Sequence, residues 1–134
     1  MKLYRTREGT ISAVDTKTQL TTLGSESAPG PLLVPAKAKM LKALIFAFGC
    51  DLTVAADGNY LIRLEGPGLP EGPETMVIGS SGVQVATGGT YTKIANRIEL
   101  DIPVTVANEI LIFGENVGED TGSTAVGVTL EFAA

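Results

Sequence analysis

The stretch FGENVGEDTG, residues 113–122, sets Glu115, Asn116, Glu119 and Asp120 between two apolar runs. Side-chain oxygens this dense could hold a calcium ion, and neighbouring carboxylates could share acid–base work. The spacing favours neither. A calcium loop needs its oxygens to converge on one point, and the pattern D-x-[DN]-x-[DN]-G is not met. Gly114, Gly118 and Gly122 instead suit left-handed turn positions. The stretch is expected to be the solvated tip of a strand connection, with a cation site as the alternative.

The remaining chemical inventory is thin. Histidine is absent, which removes the side chain most used as a general base near neutral pH and the usual triads. Cys50 is the only cysteine, so no disulfide can close within the chain, and it reads as a small buried filler. GSSG at 79–82 lacks the G-x-S-x-G of a nucleophile elbow, and no phosphate-binding glycine loop occurs. Glu99 and Asp101 could be a carboxylate pair, but they fall on one side of an alternating strand and read as its wet face. No enzyme activity, cofactor or metal is expected.

The elements that would position these residues are strands. Gly, Val, Thr, Ile and Leu dominate a chain without tryptophan. Residues 97–102 alternate with Ile98, Leu100 and Ile102 inward and Arg97, Glu99 and Asp101 outward. Residues 59–65 alternate likewise, and 109–113 form a further strand near the end of the chain. In 124–132, Val126, Val128, Leu130 and Phe132 form one face. Residues 40–48 are nearly continuous apolar, as for a strand buried on both faces or lying at a subunit contact. Short strands are expected at 3–6, 17–23, 51–55, 74–78 and 83–86, and Asp57-Gly58 reads as a two-residue hairpin turn. Prolines 67, 70 and 73 mark a rigid loop at 65–74. These spacings predict an all-β, two-sheet antiparallel β-sandwich, jelly-roll-like.

Domain organisation follows from the prolines and the charge. Pro29, Pro31 and Pro35 make 24–39 an extended crossing segment. Residues 1–42 carry seven cations against three acids, a net +4, whereas 43–134 carry three against twelve, a net −9. We expect residues 1–36 to be an extended N-terminal arm that lies on acidic surface, its own or another copy's, and 37–134 to be the sandwich body. The basic residues are dispersed and the body is acidic, so nucleic acid is not an expected partner. No run is long enough to span a membrane as a helix, and MKLYRTREGT does not read as a signal peptide.

A basic arm, a proline-bearing crossing segment and a body ending in VGVTLEF resemble the layout of single jelly-roll capsid and capsid-decoration proteins of viruses. The resemblance covers the whole chain and rests on no diagnostic motif. It implies a non-enzymatic subunit present in many copies, self-associating into a shell, with other virion proteins as further partners. It implies a place in the virion after synthesis in a host cytoplasm, or in the cytoplasm if the chain is not viral. The contacts between copies are expected at Tyr4, Arg5, Arg7, Lys37, Lys39, Lys42 and Phe46. The alternative is a carbohydrate-binding sandwich, which would need exposed stacking aromatics, and Tyr4, Tyr60 and Tyr91 are scattered.

Overall fold

A computed structural model describes residues 1–11, 17–23, 30–51, 57–70, 75–84, 91–116 and 123–134, with 48–51, 57–61, 75–84, 91–96, 116 and 123–124 described by their backbone. The described residues form β1 (Lys2–Ile11), β2 (Thr18–Gln19), β3 (Leu32–Leu33), β4 (Met40–Asp51), β5 (Asp57–Glu65), β6 (Thr75–Gln84), β7 (Tyr91–Pro103), β8 (Glu109–Asn116) and β9 (Ser123–Ala133). No helix occurs among them. One sheet runs β1-β9-β4-β7, and the other β2-β8-β5-β6, with β3 also on β8.

The pairings have one simple origin. β5 pairs with β6, β4 with β7, β2 and β3 with β8, and β1 with β9, all antiparallel. The chain is thus one long hairpin whose successive rungs alternate between the two sheets. This winding is the double-sheet jelly roll. Its tip is the proline loop after β5, where Gly66 sits at φ 117° and Gly68 hydrogen-bonds the Glu109 carbonyl at 2.9 Å. A Cβ on Gly66 would lie 2.6 Å from that carbonyl oxygen, so only glycine fits the turn.

The core lies between the sheets. Val126, Val128, Leu130 and Phe132 of β9 face Leu41, Leu44 and Phe46 of β4 along the sheet, and Ile62, Leu64, Ile110 and Ile112 cover them from the other sheet. All eleven are at most 3% exposed. Each such side chain removed from water contributes about 1.5–3 kcal/mol, set against the entropy of ordering the chain. Ile98, Leu100 and Ile102 of β7 pack on this core but are only partly buried, because β7 is the last strand of its sheet.

Several expectations are corrected. The segment read as an arm, 1–36, supplies an edge strand and two short strands to the chain's own sheets. β1 runs in register along β9 from Lys2↔Ala133 to Ile11↔Thr124. Ile11, Leu20, Leu32 and Val34 are each at most 3% exposed and belong to the same core as the body residues. β6 continues through Gly79–Gly82 instead of breaking there, since an edge strand tolerates glycine and serine where packing is one-sided. Asp57 and Gly58 begin β5, opposite Gln84 and Val83, and are not a turn. The expected strand tail at 52–55 and the strand end at 85–86 lie outside the described residues, as does the stretch 117–122.

β2 and β3 are two pieces of one strand position. Thr18 lies opposite Gly114 and Leu32 opposite Ile110. Positions 18 and 114 sum to 132 and positions 32 and 110 to 142, so ten residues are inserted without changing which side faces the core. The neck of this excursion is closed by Gly30 N–H on the Thr21 carbonyl at 3.2 Å.

Candidate functional site

The outward face of the β1-β9-β4-β7 sheet holds a side-chain network that crosses all four strands. Alternation along β9 turns Thr129, Glu131 and Ala133 away from the core, and the register places Tyr4 of β1 opposite Glu131. The Tyr4 hydroxyl donates to Glu131 Oε1 at 2.8 Å. Arg97 of β7 donates to Glu131 Oε2 from Nη2 and to Glu99 from Nε. Lys2 Nζ stands 3.6 Å from Glu131 Oε1. Lys42 and Asp101 form a separate pair at 2.8 Å.

Ala43 makes the crossing possible. It is paired with Glu131 on one side and Glu99 on the other, at a β-bulge after Leu41. It is fully buried yet outside the core cluster. A bulge places consecutive residues on the same side, which sets Ala43 on the outer face beside Lys42. Its methyl leaves room for the Arg97 side chain to span the strand.

Glu131 is only 3% exposed. The hydrogen bonds from Arg97 and then Tyr4 hold its carboxyl below the usual carboxylate range, against the opposing effect of burial. Bonding to Glu131 raises the Tyr4 hydroxyl, and bonding to Asp101 raises the Lys42 ammonium. A carboxylate kept ionised and fully bonded is a poor general acid, since that role requires the opposite shift. The depression of about 260 Å³ over this cluster is lined by Lys2, Lys42, Arg97, Glu99 and Glu131. The charges there serve one another.

The edge of β1 is closed by its own arginines. Glu8 exchanges backbone hydrogen bonds with Thr22, at 2.8 and 3.2 Å, which shows that even-numbered residues of β1 turn their backbone groups outward. Arg5 Nη1 donates to the Tyr4 carbonyl and Arg7 Nη1 to the Thr6 carbonyl, each at 2.8 Å. Arg7 also donates from Nε to the Gly30 carbonyl at 2.8 Å, which fastens the excursion to β1. A strand edge whose carbonyls are already bonded is a poor template for another strand.

The residues expected at contacts between copies are therefore placed as follows. Tyr4 is 48% exposed but anchored to Glu131. Arg5 and Arg7 cap the β1 edge, and Lys42 is paired with Asp101. Lys37 and Lys39 are exposed in the connection before β4, where Lys39 N–H bonds the Ala133 carbonyl. Phe46 is in the core, 3% exposed and opposite Val128, so its side chain is satisfied within the chain. The structure brings Tyr4 and Lys42 to one face and separates them from Phe46.

The acidic stretch resolves partly. Glu115 lies in β8 and accepts from Arg63 at 3.0 Å, while Glu119 and Asp120 are outside the described residues. Among the described residues no group of three or more acids, cysteines or histidines could hold a metal ion. Lys17 pairs with Glu65 at 2.9 Å and stands 4.3 Å over the Phe113 ring. Lys2, Lys17 and Lys42 thus each meet an acid of the body, three of the seven cations in residues 1–42. No helix among the described residues is long and apolar enough to cross a membrane.

Sequence reasoning missed Glu131, and it singled out Arg5 and Arg7 without their bonds to the β1 carbonyls. The available signal was a lone carboxylate on the outward row of an otherwise apolar strand, VGVTLEF. Comparison of the chain with protein-family models gives no match, and comparison with curated proteins gives none.

Proposed function

We propose that this chain is a non-enzymatic structural subunit that self-associates into a shell, as a virus capsid or capsid-decoration protein does. The observation that carries the reading is the strand order β1-β9-β4-β7 over β2-β8-β5-β6, the winding used by capsid domains and also by lectin domains. The fold alone does not assign a function. Further support comes from apolar side chains left in solvent near one end of the sandwich, Leu33 at 53% and Val106 at 40%, on segments joined by the Val34 N–H to Asn108 carbonyl bond. A carbohydrate-binding role draws less support. Tyr4 is the large exposed aromatic among the residues whose side chains are described, and its hydroxyl is tied to Glu131.

The native mass of the purified chain tests this reading. Sedimentation at near-physiological salt should show a discrete oligomer or a larger particle. A monomer that persists at high concentration would overturn it.

A further inference from the structure

β1 is held in two different ways along its length. Its C-terminal half is clamped from both sides. Arg7, Gly9 and Ile11 turn their backbone groups to β9, while Glu8 exchanges backbone bonds with Thr22 and its carbonyl also accepts from Thr22 Oγ1 at 2.7 Å. Arg7 reaches the Gly30 carbonyl, and a Cβ on Gly9 would lie 2.9 Å from Leu20 Cδ2. Ile11 is 1% exposed in the core.

The N-terminal half, residues 2–6, has none of these clamps. It pairs with β9 on one side, and no strand among the described residues covers its other side. Leu3 alone packs on the core from this half, and it is only partly buried, while Lys2, Tyr4 and Arg5 are exposed. Beyond the backbone ladder, its side chains reach β9 at two places. Thr6 bonds Thr129 at 2.8 Å, and Tyr4 and Lys2 both meet Oε1 of Glu131. An edge segment with so few buried apolar contacts belongs to the part of a fold that opens locally at low cost.

The groups facing Glu131 differ in what they can do. From β7, Arg97 donates to Oε2 and holds Glu99 as a second carboxylate. From β4, Lys42 lines the same depression and is paired with Asp101. From β1 come Tyr4 and Lys2. A guanidinium and an ammonium only donate, whereas a phenol hydroxyl can also accept. A proton taken up by Glu131 is therefore accommodated on Oε1, where the Tyr4 hydroxyl can turn and accept it. The charge-assisted bond to β1 becomes a neutral one, and Lys2 loses its counter-charge. Arg97 keeps Oε2 as an acceptor and Glu99 as an ion partner. Protonation thus loosens the β1 side of the network more than the β7 side.

We propose that Glu131 is an acid-released latch for the first half of β1. When the carboxylate takes up a proton, residues 2–6 open away from β9 as a unit, residues 8–11 stay seated, and β9 gains a free edge over residues 129–133. The rest of the sandwich stays folded. The latch acts within one copy of the chain and stands apart from the shell reading.

Amide hydrogen exchange of the full chain, corrected for the intrinsic effect of pH, tests this residue by residue. Leu3 and Arg5 report the N-terminal half, and Gly9 and Ile11 the clamped half, because all four point their N–H groups at β9. Between about pH 7 and about pH 3, below the ordinary carboxylate range, protection at Leu3 and Arg5 should fall about fivefold relative to Gly9 and Ile11. Glu131→Gln should show the lowered protection already at neutral pH, with no further step on acidification. Tyr4→Phe, at a half-exposed position and with Arg97 still on Glu131, should lower protection at Leu3 and Arg5 at neutral pH and shrink the acid step. Even loss at all four amides would mean general unfolding and would overturn the latch. So would an acid step that persists in Glu131→Gln, or protection at Leu3 and Arg5 that acid does not move.

Discussion

Arg97 on β7, opposite Ile45 of β4, bonds Glu131 on β9, opposite Ala43, so the bridge runs diagonally across the whole width of β4. Two strands are tied across a third by one guanidinium, and the residue paired with both carboxylates is only an alanine. Ala43→Leu should therefore cost about 1–3 kcal/mol as an overpacked position, with the bridge displaced. Ala43→Gly should keep the bridge and lose less. Urea unfolding of both variants checks this, and equal losses would show that the size of residue 43 is not what matters.

The same network sets a pH dependence. The folded-state pKa of Glu131 is lowered from 4.5, so its stabilisation is complete above that value and is lost as pH falls through the lowered pKa. Tyr4 and Lys42 are raised from 10.0 and 10.5, so their contributions are complete below those values and are lost as pH rises through the raised ones. The melting temperature should plateau between these limbs. Glu131→Gln should flatten the acid limb. An acid limb unchanged by that substitution would remove Glu131 from the account.

The first 36 residues hold part of the core. Ile11→Ala and Leu20→Ala should each destabilise by about 2–5 kcal/mol, as fully buried aliphatic side chains do. Deleting residues 1–36 strips β9 and β8 of their outer neighbours and should leave a chain without a cooperative melt. A folded, sharply melting truncation would instead restore the separable arm.

Removing the edge caps should change behaviour more than stability. In Arg5→Ala/Arg7→Ala the carbonyls of Tyr4 and Thr6 lose their intramolecular donors. Light scattering should show new, heterogeneous association that the wild type lacks. Scattering unchanged from the wild type would mean that the arginines do not guard the edge.

The body strands were legible where their alternation is local. Val126, Val128, Leu130 and Phe132 face the core as the two-residue period required, and Ile62, Leu64, Ile110 and Ile112 do the same. β1 escaped that logic. Its core-side row reads Leu3, Arg5, Arg7, Gly9, Ile11, opposite Phe132, Leu130 and Val128 for the first three, and two arginines on that row hide the alternation. They are tolerated because the sheet edge overhangs the core and lets them curl back to their own carbonyls. Leu20 and Leu32 were invisible for another reason. A two-residue strand has no period, and its register is set by β8. The outer-face network was unreadable because Glu131 and Arg97 meet through a third strand, a relation that exists only once the winding is known.

The divided strand opposite β8 has a practical meaning. Leu20 and Leu32 behave as successive rungs, so the residues between them are a graft point already tolerated by the fold. Because the inserted length is even, the alternation survives the detour. A peptide displayed there in place of the excursion would keep both leucines seated if it added an even number of residues, and an odd number would turn one of them to solvent. The chain would then present cargo from inside a strand, a place where most sheets cannot be opened.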